Sequence, residues 1–246
     1  MRIALSGTFL ASLLVLPVVA EERPDDLVKA AVAASGGEEV LAKYPAGRVV
    51  GKGTMSLAGA ETTFTFEQIY HVPGRIRTLI RCEVKGQKWE MIQVVNDDVA
   101  KQIINGRPIP LTAAAMKELQ IAAILSEIGQ LTPLTTDRKF SIKLDKQLKG
   151  QEAAGLLVQV RGHPEIRLAF DRKTGHLIRA TYKGVDPESA KEAELETTFE
   201  EFKAVSGLIR PTRSLVTRDG KKVLEFQIDK FTPLGKVDPK AFTLDE

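Results

Sequence analysis

Residues 215–231 read LVTRDGKKVLEFQIDKF. Asp219-Gly220 stands at the centre, and an Asp-Gly pair between alternating apolar residues is a strong short-range signal for a tight β-hairpin. After the turn, Leu224, Phe226 and Ile228 alternate with Glu225, Gln227 and Asp229. Successive side chains on a strand point to opposite faces, so the apolar three share one face and the polar three the other. That apolar face either lies on the protein's own core or lines a cavity for something apolar, and the choice decides the function.

Outward from this hairpin the same pattern repeats. Pro73-Gly74, Lys85-Gly86, Asn96-Asp97, Asn105-Gly106, Lys149-Gly150, Gly162-His163-Pro164, Lys173-Thr174-Gly175 and Ser206-Gly207 punctuate runs rich in β-branched and aromatic residues. These runs predict twelve strands, at 48–57, 62–71, 75–84, 88–95, 99–104, 139–145, 154–161, 165–171, 176–182, 193–202, 209–217 and 222–231. Short connections make neighbours antiparallel. Many of the runs exceed the usual ~5–6 residues, which predicts a mainly β fold with a large curved antiparallel sheet that curls to bury one face.

Helical signals are few. Pro24, Asp25 and Asp26 open a first helix that Gly36-Gly37 stops, and a short second one spans 38–43 before Pro45. The third, 111–129, has Thr112 as N-cap and Gly129 as its stop, and it interrupts the strand series near the middle. At 100° per residue, Ile121, Ile124, Leu125 and Ile128 form one stripe, while Met116, Leu119 and Ala123 spread apolar surface beyond it. A helix so apolar is either an ordinary core helix or a lid over an apolar opening.

The ends and the composition narrow the class. Arg2, an apolar run from Ile3 to Val19 and small residues at Val18 and Ala20 read as a secretory signal peptide over residues 1–20, with cleavage after Ala20. The chain is then exported, periplasmic or secreted, with no stable membrane span after cleavage and with 21–246 as a single domain. The one cysteine, Cys82, offers no disulfide and no lipid-attachment site after Ala20. With 35 basic and 32 acidic residues the charge is nearly balanced, which argues against nucleic acid as a partner.

The chemistry of an enzyme is not visible. His71, His163 and His176 lack metal-ligand spacing, and there is no H-E-x-x-H, G-x-S-x-G or Walker loop. Lys173-Thr174-Gly175 lacks the S-x-x-K that would make it part of a penicillin-recognising site, and reads as a hairpin turn. Glu194, Glu196 and Glu200 share a strand face opposite Leu195, Thr197 and Phe199, as do Arg75, Arg77 and Arg81 opposite Ile76, Ile80 and Cys82, so both rows read as solvated charge. The expectation is no catalytic residue, no metal and no cofactor.

Four segments of the second half, Phe170-Asp171-Arg172-Lys173-Thr174-Gly175-His176-Leu177, Glu196-Thr197-Thr198-Phe199-Glu200-Glu201-Phe202, Arg210-Pro211-Thr212 and Asp219-Gly220-Lys221, follow a "D-x-x-T-G-x-L, T-x-F-x-x-F, x-P-x, D-G" succession. Together with the opening Ala34-Ser35-Gly36-Gly37-Glu38-Glu39, this resembles a divergent member of the bacterial outer-membrane lipoprotein-sorting, LolA-like superfamily. The resemblance implies a half-open β-barrel plugged by helices, whose apolar interior takes acyl chains, and no catalytic residues. Relatives of this kind include a soluble carrier, a lipid-anchored receptor and a periplasmic stress sensor; without a Cys after Ala20 the anchored type does not fit.

The resulting expectation is a monomeric, non-enzymatic carrier for lipids or the acyl chains of lipoproteins. Its alternative is an envelope interaction or sensor module with a filled core and a protein partner. Strand alternation nominates Phe64, Phe66, Trp89, Met91, Leu168, Phe170, Leu224, Phe226 and Ile228 as inward-facing, and Ile121, Ile124, Leu125 and Ile128 as the helix that covers them.

Overall fold

The computed structural model describes residues 22–57, 59–148, 152–186 and 191–244. The expected signal peptide at 1–20 and the Lys149-Gly150 turn lie outside them. The chain opens with α1 (Pro24–Ala34) and α2 (Glu38–Lys43), then runs through β1 (Ala46–Leu57), β2 (Ala60–His71), β3 (Arg75–Val84), β4 (Gln87–Asn96), β5 (Val99–Ile104) and β6 (Arg107–Pro108). Two helices follow, α3 (Ala113–Ile128) and α4 (Pro133–Thr136). The second meander is β7 (Phe140–Leu144), β8 (Ala153–Val160), β9 (Ile166–Asp171), β10 (Leu177–Val185), β11 (Glu192–Val205), β12 (Leu208–Arg218) and β13 (Lys221–Leu234).

All thirteen strands form one antiparallel sheet in the order β6-β5-β4-β3-β2-β1-β13-β12-β11-β10-β9-β8-β7. The last strand pairs with the first, Ala46 opposite Leu234 through Met55 opposite Leu224. The first and last strands therefore meet in the middle of the sheet, and its two edges come from the middle of the chain. The sheet is not closed, and α3 connects β6 to β7 across the opening.

The turns explain the register. Lys85-Gly86, Asn105-Gly106, Ser206-Gly207 and Asp219-Gly220 each place two consecutive residues at positive φ. That is the signature of a two-residue turn whose twist matches the strands it joins. The expected strands match this sheet, with one more added: β6 is two residues long, too short for any alternation to register. The four-residue α4 escapes the periodicity argument for the same reason.

Thr112 caps α3 as expected, its hydroxyl accepting from the Ala115 N–H at 3.1 Å. Gly129 ends the helix in an ordinary right-handed conformation; the reversal falls instead on Leu131 at φ 64°. A leucine there is strained, and its side chain, 2 % exposed among the residues under α3, supplies the packing that offsets the strain.

On β1 the glycines have a packing role. A Cβ at Gly53 would stand 2.7 Å from the Phe64 ring and one at Gly51 2.8 Å from the Phe66 ring, with the β13 backbone closer still. Bare backbone at these two positions lets the β2 aromatic rings lie across β1. The β1–β13 register also shifts between Val50 and Gly51, a bulge that bends the sheet at this place.

Candidate functional site

One face of the sheet can be followed strand by strand. Trp89, Cys82, Phe64, Gly53, Phe226, Ser214 and Phe199 stand opposite one another from β4 to β11. A neighbouring row runs Leu224, Val216, Thr197, Ala180, Leu168, Leu156 and Leu144 from β13 to β7. Directly opposed residues share a face, so the nominated strand residues do lie on one common inner face.

That face is covered unequally. Over β7–β10, the side chains of Leu156, Val158, Ile166 and Leu168 are fully buried and Phe170 is 2 % exposed. They pack with Val28 and Ala31 of α1 and with Ile121, Ile124 and Ile128 of α3, against which Leu125 is half-buried. Leu168 and Phe170, nominated as lining, are therefore core in this half.

Over β1–β4 and β13 a second cluster holds Phe64 and Phe66, with Met55, Ile80, Cys82, Leu224, Phe226 and Ile228 packed on it but only half-buried. Phe226 sits edge-on to Phe64 at 5.8 Å and to Phe66 at 5.3 Å between ring centres. Trp89 has the inward register but is 41 % exposed at the β3–β4 end, and neither it nor Met91 joins either buried cluster. It stands near the start of β4, where the sheet has run out of neighbours to cover it.

A polar row crosses the same face where alternation alone expects oil. Gln68 donates to the Thr78 hydroxyl at 3.2 Å, and Gln93 donates to Gln102 at 2.8 Å. Side-chain amides can serve one another across strands in this way, which keeps them satisfied when half-buried.

Helix α3 is tied to both halves. The Lys139 ammonium donates to the buried Glu127 carboxylate at 2.6 Å, the Tyr182 hydroxyl donates to Glu118 at 2.9 Å, and Gln120 donates to the Asp98 carbonyl at 2.9 Å. Burial together with the Glu118 carboxylate pushes the Tyr182 phenol well above its ordinary value. Glu118 and Glu127 are anchors of the helix.

A hollow of about 130 Å³ lies where the sheet forks. β11 and β12 stay paired from Leu195 opposite Arg218 to Val205 opposite Leu208, whereas β12 pairs with β13 only from Arg218 back to Arg213. Beyond that point β13 follows β1 instead, and Pro211, with no N–H to offer, occupies the unpaired stretch of β12. Val49, Tyr70, Ile228 and Phe231 line one side of the fork; Lys203, Val205, Arg210, Pro211 and Thr212 line the other. Arg210 donates to the Gln130 side-chain carbonyl at 2.9 Å, and Gln130 donates to the Tyr70 hydroxyl at 3.2 Å. Burial pushes the Arg210 guanidinium down from its ordinary value, and Tyr70 partly restores it.

A larger hollow, about 580 Å³, lies on the outward side among Lys52, Thr54, Thr63, Thr65, Arg81 and Glu225, which alternate with the inner residues. Gly53, Phe64 and Cys82 of the inner register also border it. Among the described residues no group of three or more His, Cys, Asp or Glu is placed to hold a metal, and His176 stacks on Phe202 at 4.3 Å.

This fold has counterparts among solved structures. A LolA superfamily protein from Nitrosomonas europaea superposes with a TM-score of 0.57 at 12 % identity, over 91 % of this chain and 99 % of that one. The fold is LolA-like. A DUF1329 family protein from Desulfovibrio piger gives 0.56 at 10 % identity, over 89 % of this chain and 97 % of that one. An outer-membrane lipoprotein-sorting protein domain from Vibrio parahaemolyticus gives 0.53 at 10 % identity, over 88 % and 94 %. No family model and no curated protein matches the sequence.

In this LolA-like fold the sequence missed Arg210 as a site residue. A signal for it was present: Arg210 alternates with Thr212, Ser214 and Val216, and Ser214 and Val216 pair with the inward Phe226 and Leu224. Following that register to the end of β12 puts an arginine on the inner face.

Proposed function

We propose that the protein is an exported, non-enzymatic carrier that receives an acyl chain, from a lipid or a lipidated protein, on the inner face of β1–β4 and β13. One observation carries the reading: in this half the apolar inner side chains Met55, Ile80, Leu224, Phe226 and Ile228 stay only half-buried, although most of the same face over β8 and β9 is fully buried. Apolar surface left accessible inside a curved sheet favours an apolar occupant by about 25 cal/mol for each Å² it covers. The LolA-like fold and a neighbour named for outer-membrane lipoprotein sorting support the same direction.

In this reading residues 1–20 are removed on export and 21–246 act as one monomeric domain in the periplasm or outside the cell. Leu224, Phe226 and Ile228 are the contact surface, backed by the buried rings of Phe64 and Phe66, with Met91 and Trp89 at its rim. Helix α3 is the cover, and Ile121, Ile124, Leu125 and Ile128 hold it on the filled half rather than touching ligand.

Native mass spectrometry of protein purified without detergent tests this, followed by titration with a fluorescent fatty-acyl probe. Co-purifying acyl species or saturable probe uptake is the expected result. Repeated absence of both leaves the alternative, an envelope interaction module with a protein partner.

A further inference from the structure

We propose that the fork between β12 and β13 is a binding site for the anionic head of an amphiphile, with Arg210 and Lys203 as its cationic partners and the inner face of β13 as the track for its chain. The inference rests on the carrier reading above and adds the chemical class of the cargo.

The fork joins an apolar hollow to uncompensated positive charge. Among the described residues Arg210 has no carboxylate within salt-bridge distance; its neighbours are the neutral Gln130 and Tyr70. A guanidinium carries more donors than one amide oxygen can use, and it stays charged under all ordinary conditions. Lys203 stands opposite Arg210 in the β11–β12 pair and lines the same hollow, whose lining contains no acidic residue. A nearby arginine is matched instead: Arg213, three residues on, meets Glu225 at 2.8 Å and Glu200 at 2.9 Å on the outer face. Two cations held against Val49, Val205 and Phe231 without a counter-ion form a receptor for a carboxylate or phosphate, where a charge-assisted hydrogen bond is strongest.

Size and direction extend the argument to an amphiphile. About 130 Å³ is below the ~300–1,000 Å³ of pockets that enclose a drug-sized ligand, so the hollow admits a head and the first carbons only. From it Phe231, Ile228, Phe226 and Leu224 lead away along the inner face of β13, all half-buried. At ~3.3 Å per residue this track is about 23 Å long, the scale of an extended long acyl chain. The β1–β13 bulge keeps Phe231 and Ile228 on the same face although they are an odd number of residues apart.

Oleate and oleyl alcohol share a chain and differ in head charge, so paired titrations of the detergent-free protein near neutral pH decide the point. Oleate is expected to bind ~10-fold tighter or more. Arg210→Gln should erase that preference while leaving alcohol binding in place, and Lys203→Gln should narrow it. Equal binding of the two ligands by the unsubstituted protein overturns the inference and leaves the carrier reading intact. Binding of neither defeats the carrier reading and this one with it. Displacement of oleate by inorganic phosphate at matched concentration also overturns it, because the site then takes a bare anion rather than an amphiphile. If Arg210→Gln does not fold, the oleate-to-alcohol ratio of the unsubstituted protein and its narrowing in Lys203→Gln still separate these outcomes.

Discussion

The inner face of this sheet is one surface with two fates. Over β7–β10 two helices cover it and its leucines and valines are sealed; over β1–β4 and β13 the same alternation ends in half-exposed Phe226, Ile228 and Ile80. The residues differ little in hydrophobicity. What differs is the neighbour: α1 and the Ile121, Ile124, Ile128 stripe of α3 lie against the second meander, and α3 offers the first meander mainly Ala123 and Leu119. A shared pattern thus makes a core on one side and an accessible lining on the other.

The largest effect expected from this contrast is in the sealed half. Leu168→Ala removes a fully buried side chain and should cost ~2–5 kcal/mol of unfolding free energy, read by denaturant titration. The protein that remains folded should take up an acyl probe with unchanged affinity. A change in affinity would mean that the two halves are not separate in function.

Next comes Gly53→Val. The new side chain collides with the Phe64 ring and the β13 backbone, and should cost ~1–3 kcal/mol while also weakening probe uptake, because it displaces the aromatic lining. Smaller in stability is Phe226→Ala, at about 1–2 kcal/mol for a half-buried ring with two edge-on partners. Its effect on uptake should exceed that of Leu168→Ala, and the reverse ranking would break the comparison.

The smallest effect is confined to alkaline pH. The Tyr182 phenol is raised above its unfolded value of about 10, so its contribution is fully present below pH ~10 and is lost as pH rises further, when the unfolded chain ionises and the folded one resists. Tyr182→Phe should flatten the alkaline limb of a stability–pH curve. Tyr70, in the open half, is also raised by burial, with Arg210 and Gln130 pulling it back in part, so Tyr70→Phe should flatten the same limb.

Much of the fold was legible in short stretches. Asp219-Gly220 and Asn105-Gly106 dictate their own turns, and the alternation around Leu224, Phe226 and Ile228 gives the inner face correctly. The candidate site was legible only in part. Leu168 and Phe170 carry the same alternation as Phe226 and Ile228, yet only the former pair is sealed, in the cluster that α1 joins. Nothing within β9 announces a helix more than a hundred residues away. Trp89 has the right register but stands at the rim, because register fixes a face and not the depth along it.

Strand, turn and facing are local properties: the pleat alternates every residue and a two-residue turn needs positive φ, so the sequence by itself determined them. The pairing of β1 with β13, the bridging of the opening by α3 and the fork that strands Arg210 beside Tyr70 and Gln130 depend on contacts between distant segments. Those were decided only in the tertiary structure, because burial and the loss of a counter-ion are properties of what else comes to lie against a side chain, not of the side chain's own place in the chain.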